Sequence, residues 1–440
     1  VSDRIYVRRY VDPLDPPSMK RFRAGCGKNS GNLIFAASAQ RSVMVDGVDV
    51  EANNLNTLMR SVDRLNEEQR HVVIPLANAF RRGYLPQLGD LTSAIERLTV
   101  PVTILGVGGQ FQLDGTPERS EEVDAAARRF MRAVLAHGPS IGVRGERTAA
   151  YLSDLGFSEV DVIGCPSMFL RGRDLHVRDT APTFDKSTKV SLNLTPHVPI
   201  PDGWVADVFK RHPRAEFVAQ EIRDLDAMLG GPAVKAGSRE YPGSMRHDVI
   251  ADNKAVLHCH APTWIESMAA RDFTVGHRIH GNISSLLAGT PAHVIVHDSR
   301  TRELCEYFEI PHTQVTEHRL EDTPERIFER SDYAALIGNH PERLARFAGF
   351  LERHGLRHAL DLPAGETPFD RAVAQVEARP GLVVRPRSTE PELMDLRVWN
   401  AARAAHQGIA QAEARAKKAE ARLKALEANQ GLKGLLRRGR

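Results

Sequence analysis

The chain has 440 residues, 42% of them hydrophobic and 26% charged, with a formal net charge of +3. Its length calls for more than one domain, and this composition excludes a disordered or fibrous chain. The longest apolar runs, such as Val102–Val107, are far shorter than the ~20 residues that a bilayer demands, which excludes a membrane-spanning helix. Cys26, Cys165, Cys259 and Cys305 are few and scattered, as in a reducing compartment rather than a disulfide framework. Val1–Arg4 leads into no long apolar stretch, so no secretory leader is expected and a cytoplasmic location is. Residues 401–440 hold ten Lys and Arg against three Glu. The remaining body is therefore slightly acidic, and no nucleic-acid groove is expected.

Along the chain, short apolar or β-branched runs predict strands at His71–Pro75, Pro101–Gly106, Ser140–Val143 and Val160–Ile163. Helical patterns at Glu121–His137 and Arg147–Leu155 lie between them. Strands alternating with helices predict an α/β domain with a parallel sheet covered on both faces, placed at residues 1–175. The polar stretch Arg171–Lys186 has no period and reads as a linker. A second series, Val190–Leu194, Glu216–Ala219, Ala255–His258, Phe273–Gly276 and Ala292–Val296, belongs to a second α/β domain over 187–365. Two doubly wound units with a cleft between them are the expected architecture. Pro341–His354 predicts a terminal helix, residues 366–389 an irregular linker, and residues 390–440 a basic helical tail. Ala402, Ile409, Ala416 and Leu423 stand at heptad spacing, which points to a coiled coil and a homo-oligomer. The end, GLKGLLRRGR, mixes leucines with cations, as a peripheral contact with an anionic membrane does; a solvated helical tail fits the same composition.

Asp272–Pro311 is the richest stretch. It runs strand, polar turn, helix, strand, polar turn, helix. The first turn holds Gly276-His277-Arg278-Ile279-His280-Gly281. Arg278 is a permanent cation with a planar fork suited to phosphate or carboxylate. His280 can gain or release a proton near neutral pH. A helix starting near Asn282 offers free backbone N–H groups beside them. An Arg–His turn that only caps a helix fits this spacing equally well. The second turn, His297–Thr301, brings Arg300 to the same rim if the two strands are neighbours. Asp298 would then cap the helix and orient Arg300; capping alone is the alternative. Upstream, Gly25–Asn32 is a candidate ligand loop, because Gly and Asn let backbone amides converge; an ordinary turn is the alternative. Gly106–Gln110 is half a dinucleotide fingerprint at an internal strand, and reads as close backbone approach to the cleft.

Together these pieces resemble the polysaccharide pyruvyl transferase family. GHRIHGNISSLLAGTPAHVIVHDSRTREL is similar to its C-terminal signature: roughly G-x-R-x-H, a small-residue helix, G-x-P, an apolar strand and a basic residue. Gly27–Ile34 resembles its N-terminal Gly/Asn loop, and Val102–Gln110 its central strand and glycine turn. Ser140–Leu152 resembles its strand, Arg and Ser/Thr-helix motif, here with Arg144 and Thr148. The similarity runs from residue 25 to residue 312, with Arg300 where many members carry Lys. It implies a fold similar to GT-B glycosyltransferases, with two Rossmann-like domains facing a cleft. It implies transfer of the enolpyruvyl unit of phosphoenolpyruvate onto two hydroxyls of a sugar, as a cyclic ketal, with release of phosphate. The acceptor would be a cell-surface polysaccharide or its precursor, free or lipid-linked. The resemblance implies His280 as general acid, with Arg144, Arg278, Arg300 and Asn282 around the donor. Lys28, Asn29, Gly31, Asn32, Asn78 and Gln110 are the expected acceptor side. Phosphoenolpyruvate enters as a co-substrate, and neither a cofactor nor a metal is implied.

Other readings stay open. A glycosyltransferase could use a nucleotide sugar in the same cleft, although such sites usually carry an acidic residue near the second domain's glycine turn. Here that turn offers Arg and His. An assembly protein with a relict cleft would act through the tail. His258-Cys259-His260 has the look of a metal fragment but lacks a spaced partner pair. Asp224-Leu225-Asp226 has the D-x-D form of metal-dependent sugar transferases, and its charged surroundings predict a solvated helix face. Cys165 reads as a buried structural thiol.

Overall fold

The structure, a computed structural model, describes residues 2–8, 11–15, 18–27, 29–111, 120–178, 183–376 and 383–438, with side chains described as far as residue 424. The first unit contributes β1 (Arg4–Arg8), β2 (Asp49–Asn53), β3 (His71–Pro75), β4 (Asn78–Phe80), β5 (Val102–Leu105), β6 (Gly108–Gly109), β7 (Ile141–Val143) and β8 (Val160–Val162). They form a parallel sheet in the order β2-β1-β3-β5, with short parallel pairs β4-β6 and β7-β8 beside it. Four of these strands, β1, β2, β4 and β6, escape the sequence pattern. β1 offers only Ile5, Tyr6 and Val7 as apolar residues, yet all three are fully buried at the centre of the sheet. β2 is DVEAN, a polar edge strand with no buried residue.

The second unit contributes β9 (Val190–Asn193), β10 (Glu216–Ala219), β11 (Ala255–His258), β12 (Phe273–Gly276), β13 (Ala292–Val296), β14 (His312–Gln314) and β15 (Val383–Val384). Their order is β14-β13-β12-β9-β10-β11-β15, parallel except for the last pair. The run from 366 to 389, expected to be irregular, therefore supplies an antiparallel edge strand. It also holds a helix, Pro368–Ala374, which Thr367 and Asp370 close with a capping box.

The helix Gly31–Val43 fills the seam between the units, with every residue except Asn32 buried. It packs on the short 3₁₀ helix Pro166–Phe169 and on the helix Ile279–Leu287. A Cβ at Gly31 would lie 2.8 Å from His280 Cβ, so only glycine permits this approach. Backbone pairing continues the seam: Ser30 N–H donates to the Gln220 carbonyl at 2.8 Å, and Asn29 bridges Glu221. The helix His340–Arg353 returns to the first unit, where His354 Nδ1 meets Thr103 Oγ1 at 3.0 Å. The same hydroxyl meets His71 Nε2 at 2.7 Å.

Asp224 and Asp226 are buried, which corrects the expected solvated face. Asp224 accepts from the Tyr241 hydroxyl at 2.7 Å, and burial raises its pKa to about 6. Asp226 pairs with Arg23 on one side and with Arg403 at 2.6 Å on the other. The tail is a single helix, Pro391–Arg438. Its start docks through buried Leu393 and Asn400, the latter donating to the Asp226 carbonyl at 3.3 Å. From Ala405 to Lys424 every side chain is exposed, so the heptad rows meet no partner within one chain among the described residues. No described helix is long and apolar enough to cross a membrane.

Burial leaves several imidazoles neutral: His71, His258 and His293 are pushed down to about 3, and His354 to about 4. In the unfolded chain they titrate near ~6.5. The unfolded state then binds more protons, so stability is full above that value and falls as pH drops towards 3. Melting temperature is expected to decline steadily from pH 7.5 to pH 4.5; a flat profile would contradict it. Gly31→Ala should cost about 1–3 kcal/mol by overpacking, read as a lower urea midpoint; an unchanged midpoint refutes the close approach.

Candidate active site

A cavity of about 210 Å³ lies between the carboxyl edges of the two sheets. β9, β12 and β13 are adjacent, and each delivers a histidine to it: His197, His277 and His297. The same strand ends deliver Thr195, Arg278 and Arg300. β12 and β13 pair in parallel, so both basic turns share one rim. Arg144, after β7, enters from the first unit, and Asn29, Asn32 and Asn78 complete that wall.

The cations differ in how they are held. Arg144 is 5% exposed, donates to the Gly106 carbonyl at 3.1 Å, and has no ion pair among the described residues. Burial lowers its proton affinity, with Arg300 adding to the effect. Arg278 is pushed down to about 10 by burial and then by Arg300. Its guanidinium is bonded to Glu221, which also holds Arg223. Arg300 Nε donates to Asp298 Oδ2 at 3.0 Å, while Asp298 Oδ1 caps the next helix at Thr301 N, 2.8 Å away. Burial opposes ionisation of Asp298, but Arg300 and His297 outweigh it and keep the carboxylate charged.

His280 is half-buried, and its Nε2 lies 3.1 Å from Ser167 Oγ and 3.9 Å from Cys165 Sγ. Burial first, and then Arg144, push it down to about 3. His297 is held at about 4, mainly by burial. His277 is fully buried and well below the ordinary imidazole range for the same reason. Four cavity-lining atoms, Thr195 Oγ1, Gln220 Nε2, His277 Nε2 and His297 Nδ1, are buried with no hydrogen-bond partner among the described residues. Unpartnered buried donors beside desolvated cations favour an anion carrying several acceptor oxygens.

The structure brings Arg144, Arg278, His280, Arg300, Asn29, Asn32 and Asn78 to the cavity. The Asn78 amide, oriented with its nitrogen 3.2 Å from the Gly109 carbonyl, accepts from Arg300 Nη1 at 3.3 Å. Three expected contacts are not there. Asn282 is fully buried behind the turn, where its Nδ2 donates to the Arg278 carbonyl at 3.0 Å and the Gly276 carbonyl at 3.2 Å; it shapes the turn. Gly31 lies under His280 and serves packing. Gln110 is exposed outside the cavity, tied by its N–H to the Phe80 carbonyl at 3.2 Å. Lys28 lies outside the described residues.

Sequence reading missed Thr195, His197, Gln220, Glu221 and Ser167, which carry no motif and meet only through the sheet order. Glu221 also places an acidic group beside the second unit's glycine turn, where sequence neighbours offered none. Cys165, expected as a buried structural thiol, is buried, and its Sγ lies 3.9 Å from His280 Nε2. Among the described residues, no group of three or more His, Cys, Asp or Glu side chains is placed to hold a metal ion. His258 stacks on Trp264 at 6.0 Å, and His260 Nε2 meets the Pro13 carbonyl at 3.1 Å. A larger cleft of about 590 Å³ adjoins Gly25 and Gly27 at the ends of β1 and β2, and Asn53, Asn54 and Asn56 line it.

The crystal structure of a putative UDP-N-acetylglucosamine 2-epimerase from Listeria monocytogenes is similar at 9% identity and a TM-score of 0.40, over 85% of this chain and 94% of that one. A functionally uncharacterised protein from Klebsiella pneumoniae is similar at 12% identity and a TM-score of 0.35, over 69% and 88%. The glycosyltransferase SnogD from Streptomyces nogalater is similar at 15% identity and a TM-score of 0.29, over 80% of each chain. No curated protein matches the chain. The family model for polysaccharide pyruvyl transferase matches residues 70–299, a span that includes Arg144, Arg278 and His280 and stops one residue before Arg300. That match covers more than half of the 440 residues, and the chain belongs to the polysaccharide pyruvyl transferase family.

Proposed function

We propose that the cavity binds phosphoenolpyruvate and that the protein transfers its pyruvyl unit to two hydroxyls of a saccharide, forming a cyclic ketal. The observation that carries this reading is Arg144, a buried guanidinium with no ion pair among the described residues. A buried unpaired cation is costly, and a bound anion offsets that cost. Phosphoenolpyruvate brings a phosphate and a carboxylate, which three guanidiniums can share in bidentate fashion. A cavity of about 210 Å³ suits so compact a molecule; drug-sized ligands occupy pockets of ~300–1,000 Å³.

Burial and Arg144 keep His280 neutral near pH 7. The arriving anion counters the field of Arg144 and raises the proton affinity of the imidazole. His280 then protonates the CH2 carbon, and C2 becomes oxocarbenium-like. One acceptor hydroxyl adds to C2, and a second displaces phosphate. Of the two hydroxyl protons, one reloads His280 and the other leaves on the phosphate. The cleft beside Gly25 and Gly27, rich in asparagine amides, supports an acceptor side on the first unit.

Glu221 favours a second reading, nucleotide-sugar transfer, because an acidic group near that turn can hold ribose hydroxyls; both Arg278 and Arg223 already occupy it. Thermal shift separates the two: phosphoenolpyruvate, and not UDP-sugars, should raise the melting temperature, and the reverse order would overturn the reading. His280→Ala should lower phosphate release in the presence of acceptor by ~10²–10⁴-fold while phosphoenolpyruvate still binds. Near-normal turnover would refute the acid. Arg278→Ala should weaken donor binding, and an unchanged donor KM would remove Arg278 from the site.

A further inference from the structure

His277 lines the cavity and is fully buried. Its Nδ1 faces the backbone N–H of Thr195, 3.2 Å away, at the end of β9. Thr195 can only donate through that N–H, so Nδ1 must accept. Burial keeps the ring neutral. A neutral imidazole whose Nδ1 accepts carries its one proton on Nε2. That Nε2–H has no partner among the described residues, although the residue is fully buried and lines the cavity. β12 lies between β9 and β13. With Nδ1 turned to β9, the far edge of the ring faces the β13 turn. There the His297 ring stands 5.9 Å away, edge on, and Asp298 and Arg300 follow.

We propose that His277 is a donor-recognition residue: its tautomer is fixed by Thr195 so that Nε2–H hydrogen-bonds an anionic oxygen of the bound ligand between the β12 and β13 turns. The inference rests on the phosphoenolpyruvate reading and adds to it an uncharged, direction-fixed contact beside the guanidiniums. Such a donor is selective. It costs no further charge burial, and it leaves an unsatisfied N–H when the ligand lacks an oxygen at that point.

Two substitutions separate this role from a structural one. Asn places its amide oxygen near the Nδ1 position and keeps the Thr195 bond, but loses the Nε2 donor. Gln places an amide N–H near the Nε2 position and gives up the Thr195 bond. Calorimetric titration with phosphoenolpyruvate should show His277→Asn weakened by roughly 10- to 150-fold, the range for a lost hydrogen bond to a charged group. His277→Gln should bind more tightly than His277→Asn. The opposite order overturns the proposal, because a purely structural histidine is rescued by Asn. Long-range ¹H–¹⁵N spectra of the wild-type protein give a second measurement that needs no variant. A proton on Nε2 supports the assignment, and a proton on Nδ1 overturns it. If the wild-type protein fails to bind phosphoenolpyruvate, the donor reading falls and takes this contact with it. If the wild type binds and His277→Asn binds equally well, this inference alone falls.

Discussion

The close packing of helix Gly31–Val43 in the seam is the constraint from which the cleft is built. It touches Ile279–Leu287 where Gly31 lacks a Cβ, and a Cβ there would lie 2.8 Å from His280 Cβ. The loop before it pairs its backbone with Gln220 and Glu221, just after β10. Close-packed interiors transmit small displacements rather than absorbing them. A change of one methyl group in this seam is therefore a change in the geometry of the site.

Desolvation is the second organising force. The cleft gathers guanidiniums and imidazoles in a small volume, and burial lowers the proton affinity of each. The imidazoles respond by staying neutral. The guanidiniums cannot, and Glu221 and Asp298 compensate Arg278 and Arg300. Arg144 has no ion pair among the described residues, although the charges of Glu303 and Asp298 raise its proton affinity.

Asp226 shows how a polar residue can be misjudged from its neighbours in sequence. QEIRDLDAML has the charge density of a solvent-facing helix, yet Arg23 and Arg403 cover Asp226 from two distant segments. Trp399 lies against both cations, 5.5 Å and 4.4 Å from their guanidinium carbons. The start of the tail thereby straps the helix Met19–Gly25 to the second unit, just ahead of the Gly/Asn loop. Its remainder extends free of the body, in keeping with a composition of alanine and charge that offers little to bury.

Local sequence determined the alternation of strands and helices, the two basic turns and the family, because strand ends, glycine turns and the G-x-R-x-H spacing are properties of contiguous residues. It could not find β1 or β2, whose short or polar runs become strands only by pairing with β3 and with each other. Nor could it tell that Gly31, Asn282 and Gln110 stand aside from the cavity, since facing is set by packing. Thr195, Gln220 and Glu221 entered the site through the sheet order β13-β12-β9-β10, which aligns residues some eighty positions apart. Whether a cation is paired or bare, and which nitrogen of His277 holds its proton, depends on atoms brought together across that edge, and only the tertiary structure decides it.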